Sequence, residues 1–132
     1  MTISTMLAEH ASVISAMNHR DGYPLDAVEF VKKVNRHKLI CKIAVDEGKI
    51  LGYIAFKRRV SYIQVYDLFV DKEYRRQGVA SRLMRHIMTT KPVGVRVLET
   101  NLAAQLFFRS VGLRGKQEGT NIVFTNKVGI NV

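Results

Sequence analysis

A chain of 132 residues, 47% hydrophobic and 24% charged, is long enough for one domain with a real core and too apolar for a disordered tail. Its apolar runs fall short of the ~20 residues of a membrane span, and no charged-then-apolar leader opens it. The single Cys41 excludes a disulfide framework or a cysteine-built zinc cluster, so the expectation is a soluble, cytoplasmic protein with no metal and no membrane partner. With 21 Lys and Arg against 11 Asp and Glu, the net charge is +10, a field that attracts nucleic acid, acidic proteins or a phosphorylated cofactor. The basic residues are dispersed, with no long run of the kind that marks a nucleic-acid tail.

Apolar positions at Leu7, Ala11, Ile14 and Met17 predict a short helix over residues 7–18, ending near Asp21 and Gly22. A second helix starts after Pro24 and runs through Phe30, Val31 and Val34 to Arg36. Leu39, Cys41, Ile43 and Val45 then share one face of a strand, residues 46–49 have turn chemistry, and 50–56 read as the returning strand. Residues 57–61 turn the chain again, and 62–70 form a third strand rich in β-branched and aromatic residues. The rhythm changes after Gly78. Val79, Leu83, Met84 and Ile87 recur at helical spacing while Arg82, Arg85 and His86 face away. Pro92 stops that helix, Val93, Val95 and Val97 make a short strand, and a last helix runs from Leu102 to Val111 with Gly112 as its C-terminal cap. Residues 113–118 and 121–126 read as a closing hairpin. Helices, an antiparallel meander, then strand–helix–strand–helix make an α/β (α+β) mixed-sheet fold, one domain over residues 1–132.

The strongest local feature is Arg75, Arg76, Gln77, Gly78, Val79, Ala80 and Ser81, set between a strand and a helix. Free N–H groups at a helix N-terminus, together with its positive dipole end, bind phosphate. Gly78 lets the backbone approach closely, Ala80 and Ser81 are small, and Arg75 and Arg76 add charge-assisted donors. A helix start with solvated arginines is the competing reading of the same residues.

Arg75, Gly78 and Ala80 match the signature of the GNAT acetyltransferase superfamily: Arg or Gln, two residues, Gly, one residue, then Gly or Ala. The preceding Leu68, Phe69, Val70, Asp71 and Tyr74 resemble that family's lead-in. Asn101, Ala104, Phe107, Phe108, Gly112 and Leu113 resemble its second signature. The resemblance covers roughly residues 39–113, and residues 95–112 look like the ribosomal-protein alanine N-acetyltransferase group. It implies a central, twisted, mostly antiparallel sheet with splayed central strands, flanked by about four helices. It also implies acetyl-CoA as co-substrate. The backbones of Leu68, Phe69 and Val70 would pair with the pantetheine arm, Arg75 to Ser81 would cradle the pyrophosphate, and Asn101, Phe107 and Phe108 would line the far wall.

The implied reaction is direct attack of a primary amine on the thioester, with an oxyanion donor from the backbone near Phe69 or Val70. Strand alternation puts Asp67 on the face of Ile63, Val65 and Phe69, where partial desolvation suits a general base. Glu99, at the mouth of the strand leading to Asn101, is the second candidate. Many family members carry Tyr where this chain has Phe108, which has no proton to give. Tyr66, Tyr74, Ser110 or water would replace it, the thiolate would leave unassisted, or the chain would bind acetyl-CoA without turnover. The resemblance favours a protein or peptide amine, with an acidic or ribosomal partner in keeping with the charge. Arg96 departs from it, since the ribosomal-protein group has Glu five residues before the Asn. A small amine (polyamine, aminoglycoside or amino acid) is the alternative, to be favoured by an acidic cluster of Asp67, Glu99 and Glu29. The short N-terminal region leaves the acceptor side open or completed by a second subunit, as in a homodimer.

Overall fold

In the computed structural model, which describes every residue except Thr90 and Val128, a seven-stranded sheet runs through the molecule. In chain order the elements are β1 (Thr2–Thr5), α1 (Ala11–Arg20), α2 (Ala27–Arg36), β2 (Ile40–Asp46), β3 (Lys49–Arg58), β4 (Ile63–Val70), α3 (Val79–Ile87), β5 (Val93–Leu98), α4 (Leu102–Ser110), β6 (Arg114–Glu118) and β7 (Asn121–Thr125). The spatial order is β1-β2-β3-β4-β5-β7-β6, antiparallel throughout except for the β4–β5 pair.

Each face of the sheet carries its own core. On one side α3 and α4 bury Leu83, Met84 and Phe108 against Ile54, Phe56, Val65 and Phe124. On the other, α1 and α2 bury Ile14 and Phe30 against Cys41, Ile43 and Tyr53. The expected helix over residues 7–18 resolves into a 3-10 turn, Ala8–His10, followed by α1. At the start of α2 the Asp26 carboxylate accepts from the Glu29 N–H at 3.0 Å, a side-chain cap. Strand β1 has no counterpart in the sequence reading, because four residues are too few for alternation to register; it adds to the edge of β2 from Thr2↔Val45 to Thr5↔Lys42.

Two irregularities of β4 shape the molecule. Asp67 pairs with Ala55 of β3 while Val65 pairs with Phe56, so Tyr66 is an extra residue and β4 bulges there. The bulge breaks the alternation on which the sequence reading relied. Ile63 and Val65 lie in the α3/α4 core, whereas Tyr66 and Phe69 pack on the α1/α2 side. Asp67 shares the face of Phe69 as expected, but not that of Ile63 and Val65. Past the bulge the central strands also part: β4 and β5 pair at Ile63↔Val93, Gln64↔Gly94 and Val65↔Val95, and no further.

Candidate active site

The parting of β4 from β5 opens a cleft of about 760 Å³, within the range of small-molecule sites. One wall is the second half of β4. Asp71 donates its N–H to the Leu51 carbonyl across the β3–β4 ladder at 2.8 Å. Strand alternation therefore turns Phe69 toward β3 as well, and directs the N–H and C=O of Leu68 and Val70 into the gap. The Val70 carbonyl there accepts from Arg75 Nε at 3.1 Å. Gly52 permits the close approach of β3 behind this wall, since a Cβ on it would stand 2.6 Å from the Phe69 carbonyl oxygen.

The floor of the cleft is the turn into α3. Arg76 (φ 62°) and Gly78 (φ 82°) both lie in the left-handed region. Gly78 is the N-cap, no side chain caps the helix, and the first helical bond runs from Arg82 N–H to the Gly78 carbonyl. The N–H groups of Val79, Ala80 and Ser81 are thus left for a ligand, in a concave backbone of the kind that holds anions. A Cβ at Gly78 would meet no atom within 4 Å, so it is the backbone angle, not crowding, that calls for glycine.

Arg75 and Arg76 differ. The Arg75 guanidinium pairs with Asp21 at the end of α1 and lies 5.4 Å from the centre of the Phe69 ring. Beside it, Arg20 Nη2 meets the buried Asp71 carboxylate at 2.6 Å. Arg75 therefore braces the wall, and Arg76 is the exposed guanidinium on the turn. On the far wall, Asn101 Oδ1 caps α4 through the Ala104 N–H at 3.1 Å. Phe107 borders the gap, and Phe108 is buried against Phe107 and Phe124.

Asp67 also lines the cleft, at the bulge where β4 loses its second partner. Its Oδ2 accepts from the buried Tyr53 hydroxyl at 2.6 Å, and among the described residues Oδ1 has no donor. Burial, then the neighbouring Asp67 charge, push the Tyr53 hydroxyl up from its ordinary value. The same causes, burial first, push the Cys41 thiol up to about 12. Both groups stay protonated, so the Tyr53 hydroxyl is a fixed donor that holds the carboxylate in place.

Of the residues singled out from the sequence, Leu68, Phe69, Val70, Arg75, Arg76, Gly78, Val79, Ala80, Ser81, Asn101, Phe107 and Phe108 border this cleft with Asp67. Gln77, exposed on the same turn, is not among the residues that line it. Glu99 does not reach it either: its carboxylate accepts from Gln117 Nε2 at 2.7 Å, beside the β6–β7 hairpin. Arg96 is held by Glu118 at 3.7 Å and by the Val132 carbonyl. Of the hydroxyls considered, Tyr74 borders the cleft, Tyr66 is taken by Arg59 at 3.2 Å, and Ser110 bonds the Phe107 carbonyl. The sequence reading missed Asn18, Tyr23 and Tyr53. Tyr53 sits in a strand like any core aromatic, and only its pairing one strand away from Asp67 reveals its part. Among the described residues no three His, Cys, Asp or Glu side chains converge as a metal site, and no helix is long and apolar enough to cross a membrane.

Comparison with known proteins matches residues 37–113 to the acetyltransferase (GNAT) domain family. No curated protein matches the sequence. The solved ribosomal-protein-S18-alanine N-acetyltransferase from Escherichia coli is similar at a TM-score of 0.79 and 15% identity, over 99% of this chain and 96% of that one. The ribosomal-protein-alanine N-acetyltransferase from Brucella melitensis gives 0.72 at 13% identity, over 95% and 98%. Arabidopsis thaliana NAA60, solved with a bisubstrate analogue, gives 0.69 at 16% identity, over 94% and 97%. At such identities the likeness is one of fold.

Proposed function

The chain belongs to the GNAT acetyltransferase family, and from that premise we propose that it moves an acetyl group from acetyl-CoA to a primary amine of a peptide or protein. The observation that carries the reading is the meeting, in one cleft, of an unpaired strand edge, an uncapped helix N-terminus and the Asp67 carboxylate. These residues suit coenzyme A. The open edge at Leu68 and Val70 accepts an extended amide-bearing arm as an added strand. The N–H groups after Gly78 and the Arg76 guanidinium suit a pyrophosphate.

Acetyl-CoA supplies the activated acetyl thioester. The chain's own residues then have separate tasks. Asp67 Oδ1 takes the proton that the acceptor ammonium must shed before its nitrogen can attack, while Tyr53 keeps Oδ2 occupied and the carboxylate aimed. The Val70 N–H, turned into the gap, faces the negative charge that develops on the carbonyl oxygen. Phe108 has no proton for the departing thiolate, which leaves the cleft-lining Tyr74 hydroxyl or solvent to supply it.

The choice of a peptide amine rests on what the acceptor side lacks. A cleft selecting a polycation needs uncompensated acids. Glu99 is engaged by Gln117, Glu29 lies 3.6 Å from Lys32, and Asp21 is neutralised by Arg75, so Asp67 stands without an acidic cluster around it. Steady-state thiol release from acetyl-CoA, measured over N-terminal peptides, spermidine, an aminoglycoside and free amino acids, tests this. Turnover is expected on peptides; turnover confined to the small amines would overturn the acceptor assignment. Phe108 favours a second reading, an acetyl-CoA-binding module without turnover, for which calorimetric binding and silence on every amine would be the signature. Failure to bind acetyl-CoA at all would remove both.

A further inference from the structure

Long stretches of this chain carry bases without acids. Residues 30–45, 48–66 and 74–98 contain no Asp or Glu. The topology brings part of each stretch to one place, the end of the sheet opposite the cleft. Arg36 and Lys38 lead α2 into β2 there. Arg58 and Arg59 turn β3 into β4, while Arg85 and His86 end α3 and Lys91 leads into β5. These side chains are exposed. Strand ends about 4.8 Å apart place β2 to β5 across roughly 15 Å.

The acids collect at the other end. Asp46 and Glu47 form the β2–β3 turn, Asp71 and Glu73 follow β4, and Glu118 ends β6. Of the ion pairs among the described residues, Glu9 with His10, just past β1, lies at the basic end, and it pairs none of these lysines and arginines. The basic end also has a concave centre. A pocket of about 90 Å³ is lined by Lys42, Arg58, His86 and Lys91 over Phe56 and Ile63. Metabolite sites run from about 300 Å³ upward, so this one is sized for a single small anionic group. Its rim is braced: Lys91 Nζ holds the Arg59 carbonyl at 3.1 Å, and Lys42 Nζ holds Thr5 Oγ1 at 2.8 Å.

We infer that this end of the sheet is a docking surface for a nucleic-acid backbone, with one phosphate seated in the pocket and its neighbours on the flanking arginines and lysines. Cations lacking acidic partners repel one another, and a phosphodiester chain relieves that repulsion while releasing its own counterions. A protein partner would call for a desolvated apolar or aromatic centre, and a membrane for a broad apolar face. The exposed large hydrophobic residues here are Val60, in the β3–β4 turn, and Leu7, past β1, two single side chains on separate elements, while Leu98, Leu102 and Leu106 lie at the other end or on α4. Nucleic-acid interfaces are polar and strongly positive, as this surface is.

The test is fluorescence anisotropy of the full chain with labelled single-stranded RNA, duplex RNA and duplex DNA between 50 and 300 mM salt. Binding is expected with a log–log salt slope of about 3–5, corresponding to about four to six phosphates. Arg58→Glu/Lys91→Glu should weaken it at least tenfold. Lys49→Glu/Lys116→Glu, an equal loss of charge elsewhere, should change it less than threefold; both variants should keep wild-type acetyl-CoA binding. Arg58→Gln/Lys91→Gln serves if the reversed pair does not fold. The RNA and DNA arms decide which backbone is preferred. Equal loss in both double variants, absence of binding at 50 mM salt, or equal affinity for polyglutamate or anionic vesicles would each overturn the assignment.

Discussion

The two halves of β4 do opposite work. From Ile63 to Val65 the strand is laddered on both edges and its apolar side chains are sealed in the core beneath α3. From Asp67 to Val70 it keeps only β3, and its other edge, its carboxylate and its partly exposed side chains face the cleft. The bulge at Tyr66 separates them. One half holds the sheet together, and the other has its backbone groups left over for chemistry. Substitutions should therefore act on different observables according to which side of Tyr66 they fall.

The largest effect is expected from Asp67→Asn. If the open half carries the base, kcat should drop about 100-fold or more with acetyl-CoA affinity within twofold, read by thiol release and calorimetry. Tyr53→Phe, which frees Oδ2, should shift the pH dependence of kcat and cost less than Asp67→Asn; equal losses would mean that Tyr53 touches the substrate itself. Next is Gly78→Trp, where the bulk would fill the phosphate turn. Acetyl-CoA should bind about 30-fold more weakly, roughly 2 kcal/mol, and Gly78→Ala, which adds only backbone strain, should lose far less.

In the laddered half the sign of the experiment reverses. Val65→Ala removes packing from the α3 core and should lower unfolding stability by about 2 kcal/mol in a denaturant titration. The Kd for acetyl-CoA should stay within twofold. A change in Kd as large as that of Gly78→Trp would dissolve the distinction between the halves. The smallest effect concerns Cys41, on β2 behind Asp67. The folded thiol keeps its proton to about pH 12, while an unfolded one loses it near 8.5. Between those values the unfolded chain binds fewer protons, so stability falls as pH rises, by about 1 kcal/mol at pH 9. Cys41→Ala should flatten that slope between pH 8 and 10 in thermal melts; above about pH 10 the raised Tyr53 adds a loss of the same sign.

Much of this was legible from one sequence because it is local. The turn at Gly78 is written in consecutive residues, the helical spacing of Val79, Leu83 and Ile87 needs no partner to be read, and Gly112 marks the end of α4. What escaped depends on pairing between distant strands. The bulge at Tyr66 exists only as a mismatch with Ala55 and Phe56, so simple alternation groups Asp67 rightly with Phe69 but wrongly with Ile63 and Val65. The engagement of Arg75 by Asp21, and of Glu99 by Gln117, joins residues far apart in the chain, and in each case a charge that looked free is occupied. The same applies to the basic residues, which the sequence shows as dispersed and of which the fold brings Arg36, Lys38, Arg58, Arg59, Arg85 and Lys91 to one end.

The pair of arginine–carboxylate contacts, Arg20 with Asp71 and Arg75 with Asp21, has a consequence for anyone redesigning the acceptor. Together they staple the end of the first helix to the strand-to-helix turn, making the two a single mechanical unit. A first helix transplanted from another protein would bring new acceptor contacts but also remove those rivets. Without Arg20 and Asp21 in the graft, the swap should loosen the grip on coenzyme A even though no residue of the phosphate turn has been altered. Modularity in this chain therefore stops one residue earlier than its helix boundaries suggest.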